Sequence, residues 1–243
     1  MKVLVTGGAG YIGSVVASQL VEAGHDTTVF DDFSRGHAGA VPEEARLLRG
    51  NLLDAGLVRE TLAEGFDGVL HFAALSLVGE SVQEPELYYR NNVCGTINLL
   101  EAMRESGAER LVFSSTAAVY GEPEEVPVRE TAPALPTNPY GSSKLAVDRL
   151  IGAVAGAHGL AAMSLRYFNV AGASGHFGED HHPETHLIPL VLEAAAEDSS
   201  VKIFGTDYPT RDGTALRDYI HVEDLGRAHL LALEAAVSGE HHV

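Results

Sequence analysis

The stretch Val5 to Gly13, "VTGGAGYIG", decides the fold. It follows a short β-branched run, "KVLVT" at 2–6, and opens a segment in which Ile12, Val15, Val16, Leu20 and Ala23 recur at helical spacing. The turn satisfies G-x-G-x-x-G through Gly8, Gly10 and Gly13, and G-x-x-G-x-x-G through Gly7, Gly10 and Gly13. Glycines placed this way allow a tight turn, close approach of backbone to a pyrophosphate, and close packing of helix on strand. The helix start adds free N–H groups and the positive end of its dipole. A glycine turn alone can serve simply to reverse the chain, so the next strand matters. Asp31 ends it, where a carboxylate accepts hydrogen bonds from adenosine ribose hydroxyls. Asp31 and Asp32 together repel a 2′-phosphate and favour NAD over NADP, with Arg35 nearby to blunt that preference.

Outward from this unit the same alternation continues. Strand patterns fall at "TTVFD" 27–31, "ARLLRGN" 45–51, "GVLHFA" 68–73, "RLVFSS" 110–115 and "AAMSLRYF" 161–168, with helical patterns between them. Alternation of this kind predicts an α/β fold, a Rossmann-type doubly wound parallel sheet covered by helices on both faces. After Asn169 the elements shorten: loops rich in Gly, His and Asp, a helix over Leu187–Ala196, a strand at 201–204, and "DYPTRDGTALRDYIHVEDL". The expected division is a dinucleotide-binding domain over 1–170 and a smaller, incomplete C-terminal substrate lobe over 171–243, with the last helix packing back on the first domain.

A chain of 243 residues, 45% apolar with a formal net charge of −18, describes a globular protein and excludes nucleic-acid binding through a basic surface. Cys94 is the one cysteine, so no intrachain disulfide forms; its helical setting predicts a small buried apolar residue in a reducing compartment. The opening "MKVLVTGG" is broken by glycine too soon for a signal peptide, and no apolar run spans a bilayer, so the expected location is the cytoplasm.

The segment "NPYGSSK", Asn138 to Lys144, carries the chemistry. Asn138 suits a helix N-cap and Pro139 the first helical position, which puts Tyr140 in the first turn and Lys144 on the same face, at i,i+4. A phenol is a poor base near neutral pH because its pKa lies about three units too high, an obstacle of about 4 kcal/mol. One cation about 5 Å away, at an effective dielectric near 20, supplies roughly 3 kcal/mol. An oxidised nicotinamide would supply the rest, letting Tyr140 take a proton as a hydride leaves the substrate. Thr116, just past the fifth strand in "FSSTAAVYG", stands where ligands bind in such sheets and could hydrogen-bond the substrate oxygen; Ser114, Ser115 and Thr116 could equally satisfy loop backbone.

Taken in order, "TGGAGYIG", Asp31, "HFAALSLVGES", "NNVCGT", "SSTAAVYG", "NPYGSSK", "LRYFNVAGA", "PETHLIP" and "DGTALRDYIHV" resemble the extended short-chain dehydrogenase/reductases, and among them the UDP-glucose 4-epimerase branch, from Met1 to the last residue. The resemblance implies catalysis by Tyr140, Lys144 and Thr116. It implies an NAD site of Gly7, Gly10, Tyr11, Ile12, Gly13, Asp31, Asp32, Asn51, Leu52, Phe72, Ala73, Ala74, Asn92, Tyr140, Lys144 and Phe168. It places Thr116, Asn169, Leu187, Phe204, Arg217 and Tyr219 on a UDP-hexose substrate, with Arg217 suited to the diphosphate. The implied reaction removes hydride from sugar C4, turns the 4-keto intermediate over, and returns the hydride to its other face. A homodimer through the helices around Pro85–Glu105 and Pro139–His158 is also implied.

Some positions depart from the family pattern. Leu75 and Ser76 stand where relatives usually carry a lysine, and Asn51 replaces an aspartate. "SGEHHV" ends where relatives begin another strand and continue through more of the substrate lobe, so one wall of the pocket and a sheet edge are expected to be open. A nucleotide-sugar 4,6-dehydratase would need Asp-Glu directly after Thr116, where this chain has Ala117 and Ala118. An NAD-binding fragment without turnover has no use for a paired Tyr140 and Lys144, although the ending would suit one. The histidines His176, His181, His182 and His186, with Glu179 and Asp180, match no metal-binding spacing, and no metal is expected.

Overall fold

The computed structural model describes all residues, Met1–Val243. Its main sheet has seven parallel strands in the order β3-β2-β1-β4-β5-β6-β9. These are β1 Lys2–Thr6, β2 Asp26–Asp31, β3 Arg46–Arg49, β4 Gly68–His71, β5 Arg110–Ser114, β6 Ala161–Leu165 and, after the strands β7 Asn169–Ala171 and β8 Tyr219–His221 of a separate small sheet, β9 His241–His242. The order reverses between β1 and β4, which opens a crevice beyond their C-terminal ends. That is the doubly wound arrangement expected from the strand and helix patterns.

Both faces of the sheet are covered, which is why its strands read as continuous apolar runs. Val3, Val5, Val29, Leu70 and Val112 point to one side, against Val16 and Leu20 of α1 (Tyr11–Glu22) and Leu233 near the chain's end. Leu4, Phe30, Val69, Leu111 and Phe113 point to the other. There they meet Val58 and Leu62 of α2 (Ala55–Leu62) and, beyond the short helices α3 (Val78–Gln83) and α4 (Pro85–Tyr88), Leu99 of α5 (Gly95–Ser106) and Ile151 of α6 (Pro139–His158).

After β6 the chain builds a small parallel pair, β7 with β8, and the helix α7 (Leu187–Ala196). The last helix, α8 (Val222–Ala235), returns to the main sheet: Arg110 donates to the Leu233 carbonyl at 2.9 Å, and Gln19 Nε2 to the Glu223 carbonyl at 3.1 Å. Glu223 and Asp224 occupy its first turn, where the helix dipole favours acids.

Two expectations are corrected. No strand forms at 201–204: the apolar alternation there finds no neighbouring ladder, and Ile203 and Phe204 stay exposed. Cys94 is exposed, because residues Tyr89–Cys94 form a wide i→i+5 turn between α4 and α5, which rotates the helix face and buries Asn92 instead.

Candidate active site

The glycine turn sets one end of the site. Gly7 has φ +73°, and a Cβ there would lie 2.5 Å from the Ala73 nitrogen; one on Gly13 would lie 2.2 Å from the Gly7 carbonyl oxygen. Those two glycines are demanded by the turn itself. Gly10 differs, since a Cβ on it would meet only the Gly7 oxygen, at 3.4 Å, leaving the space above it open to a ligand. It also caps α1 without any side-chain acceptor, so the first N–H groups of the helix face the crevice unpaired. A dinucleotide pyrophosphate fits these two features.

At the end of β2, Asp31 is buried and accepts from Ala9 N–H at 3.0 Å and Phe33 N–H at 2.8 Å. Burial raises its pKa, and the two backbone bonds oppose that rise. Asn51 donates to Asp32 Oδ2 at 2.6 Å while its own oxygen accepts from Leu53 N–H, so this carboxamide orients an acid in addition to lining the pocket. Arg35 is bound at 2.7 Å to Glu80 and reaches the His182 carbonyl. It therefore does little to offset the two carboxylates at the end of β2.

The other end is built by α6 and the loop after β5. Asn138 caps α6 by accepting from Gly141 N–H at 2.8 Å, with Pro139 at the first position. This fixes Tyr140 and Lys144 one turn apart, as their spacing predicts. The Lys144 ammonium is buried, donates to the Ser114 carbonyl at 2.8 Å and sits 4.7 Å from the centre of the Phe113 ring. Burial pushes its pKa down to about 7, against the pull of Asp148. Burial raises the Tyr140 pKa, and the Thr116 hydroxyl lowers it in part. In the protein alone, desolvation thus outweighs the acidifying charge expected from the sequence.

Thr116 lies beside Tyr140. Its hydroxyl accepts from Ala118 N–H at 3.1 Å, the loop-capping role considered from sequence, while the side chain also lines the crevice. Beneath it lies a support that the sequence did not reveal. Asp148 of α6 pairs with Arg166 at 2.9 Å and accepts from Ser115 Oγ at 3.1 Å, and Arg166 reaches the Tyr120 hydroxyl at 3.1 Å. Tyr167, also unforeseen, shares a short hydrogen bond with Ser114 and lines the crevice beside Tyr140. Ser115 and Tyr120 fall in "SSTAAVYG" and Arg166 and Tyr167 in "LRYFNVAGA", but neither stretch revealed these contacts, because they join residues far apart in sequence with Asp148 of α6.

A single cavity of about 1270 Å³ joins both ends. Its wall includes every residue expected at the NAD site except Asn92, together with Thr116, Asn169, Leu187, Arg217 and Tyr219. Asn92 is buried behind the wall, where it accepts from Leu75 N–H at 2.8 Å, donates to the Leu75 carbonyl at 3.1 Å and donates to Ser143 Oγ. It positions the Leu75 backbone instead of touching the cavity. Phe204 is 96% exposed and lies off the cavity, because the segment holding it has no strand partner to turn it inward.

The family model described as "NAD dependent epimerase/dehydratase family" matches residues 3–243. The chain belongs to that family. It is 57% identical over 245 residues to a UDP-glucose 4-epimerase of Corynebacterium glutamicum, covering 100% of this chain and 74% of the relative. It is also 57% identical over 243 residues to one of Streptomyces lividans, covering 99% and 74%. Among solved structures, the Brucella ovis UDP-glucose 4-epimerase in complex with NAD superposes with a TM-score of 0.94 at 45% identity, over 100% of this chain and 76% of that one. The Bifidobacterium longum UDP-glucose 4-epimerase in complex with NAD+ and UDP gives 0.93 at 36%, over 100% and 77%. Family membership accounts for the NAD-fitted glycine turn and for its pairing with a Tyr-Lys helix in one crevice.

Proposed function

We propose that this chain is an NAD-dependent UDP-hexose 4-epimerase that interconverts UDP-glucose and UDP-galactose. The observation that carries the reading is the continuous cavity with an uncapped, glycine-lined helix start at one end and Tyr140, Lys144 and Thr116 at the other. The glycine turn and Asp31 would hold NAD, which would supply the hydride acceptor and donor for sugar C4. Tyr140 takes the proton of the C4 hydroxyl and gives it back, and Thr116 orients that oxygen. Lys144, anchored on the Ser114 carbonyl one helical turn from Tyr140, lends the phenol positive charge when protonated. Asn169, Leu187, Arg217 and Tyr219 line the substrate side, where Arg217 can meet a diphosphate. On this reading the substrate lobe begins near residue 170.

Incubation with UDP-galactose tests the proposal. UDP-glucose is expected to accumulate to an equilibrium mixture, and Tyr140→Phe to lower kcat by about 100-fold or more, the contribution of a positioned acid–base group. Equal turnover by the variant would remove Tyr140 from the chemistry.

A cytoplasmic location is supported by the nucleotide-sugar substrate named for the relatives; no helix of this chain is long and apolar enough to cross a membrane. A homodimer through the helices around Pro85–Glu105 and Pro139–His158 is supported by the exposure of Leu87 on α4, Tyr89 in the wide turn and Ile97 on α5. Light scattering at micromolar concentration is expected to give twice the 25.7 kDa chain mass; a mass of one chain would contradict it.

A further inference from the structure

The loop between β7 and α7 brings together side chains whose spacing in sequence gave no metal signature. Glu179, His181, Glu184 and His186 each offer one ligand atom, and these four atoms all lie within 4.8 Å of one another. His181 Nδ1 is 3.2 Å from Glu179 and 3.8 Å from Glu184. His186 Nδ1 is 2.7 Å from Glu179 and 3.0 Å from Glu184. Donors bound 2.0–2.2 Å from a tetrahedral zinc stand about 3.3–3.6 Å apart, so the observed separations bracket a zinc shell. His176, Asp180 and His182, singled out in sequence, lie outside the cluster, whereas Glu184 belongs to it.

A second observation separates this cluster from an ordinary set of ion pairs. The His181 side chain is 27% exposed, but its Nδ1 atom is shielded from solvent and has no well-directed hydrogen bond, with Glu179 at 3.2 Å and Glu184 at 3.8 Å. A shielded nitrogen left without a well-directed partner among gathered ligand atoms is costly unless another group pairs with it. Both carboxylates are largely shielded, with side-chain exposures of 10% and 15%. The loop is also docked firmly: Phe177 packs on Val15 and Val222, Tyr11 donates to the Gly172 carbonyl at 2.6 Å, and the His181 ring meets Tyr11 edge-on at 6.5 Å.

We propose that Glu179, His181, Glu184 and His186 form a closed, four-ligand site for a zinc ion. The donor set of two imidazoles and two carboxylates suits zinc, and four protein ligands leave no open position for catalysis. Its role is structural. The ion fastens the 172–186 loop across Tyr11, at the mouth of the cofactor crevice. Its donors sit within nine residues of one another in sequence, so one ion closes a short loop that otherwise depends on Glu–His pairs.

The test uses the full chain, stripped with a chelator and dialysed, with zinc chloride as the probe and a chromophoric indicator as competitor. One zinc per chain is expected. The double variant His181→Asn, His186→Asn is expected to lose affinity by more than about 100-fold, beyond what loss of an outer hydrogen-bond partner costs. Far-UV circular dichroism of the variant should match that of the parent. X-ray absorption on the zinc-loaded parent protein provides a reading independent of any variant, and two imidazoles with two oxygen donors should fill the first shell. Absence of stoichiometric binding, equal zinc affinity in the double variant, or a first shell without two imidazoles would each overturn the assignment. None of these readouts depends on epimerase turnover, so the site and the proposed function stand or fall separately.

Discussion

Pairing a phenol with an ammonium lowers the phenol's pKa only while the ammonium keeps its charge, and burial leaves Lys144 titrating at about 7. The charge argument drawn from the Tyr140–Lys144 spacing is sound in sign, but it omits the desolvation that both side chains suffer at the bottom of the cavity. A cation added to that cavity would stabilise phenolate without further desolvation of the protein. The buried histidines obey the same physics. His71 lies between the Thr6 and Thr96 hydroxyls at 2.7 and 2.9 Å, and burial pushes its pKa down to about 3; His229 is pushed down to about 4. Both are therefore neutral in the folded protein at pH values where the unfolded chain protonates them. Below the ordinary histidine pKa of about 6.5 the unfolded state binds more protons, so stability falls with pH by roughly 1.4 kcal/mol per unit for each. The loss runs from about 6.5 down to the folded values. Urea unfolding at pH 7 and pH 5 should show the midpoint falling, and His229→Gln should remove about half of the slope. A midpoint unchanged between the two pH values would mean that these imidazoles are not held neutral.

At the level of single elements, the parts whose form depends on neighbours in sequence were legible. The strands from β1 to β6 begin and end within a few residues of the expected runs, because burial on both faces leaves short continuous apolar runs set between helical patterns. The start of α6 was legible for the same reason: its cap, its proline and the Tyr140–Lys144 interval are all local. Removing the cap should cost about 1 kcal/mol, so Asn138→Ala is expected to lower the urea midpoint and Asn138→Ser to restore most of it. An alanine variant as stable as the parent would show that Pro139 and packing alone hold the turn. What failed was non-local. The 201–204 run has strand composition but no partner ladder, and the wide turn at Tyr89–Cys94 inserts a rotation that no helical period announces.

Across the whole molecule, the fold and the two ends of the site could be read from the sequence, but their supports could not. The glycine turn and the Tyr-Lys helix are compact motifs, each with its own mechanism. The Asp148–Arg166–Tyr120 network, the Asn92 hold on Leu75 and the gathering of Glu179, His181, Glu184 and His186 exist only after the chain folds. The parallel sheet makes one site of the two ends, setting the α1 N-terminus and Tyr140 on the same cavity. Oxidised NAD, if held along that cavity as proposed, would supply the second positive charge that the protein alone lacks. Difference ultraviolet titration of the NAD-loaded protein against its Tyr140→Phe variant tests this most directly. The account predicts a tyrosinate signal with a midpoint below about 8, well under the ordinary tyrosine value near 10, that the variant lacks. A difference spectrum with no tyrosinate until pH 10 or above would contradict it.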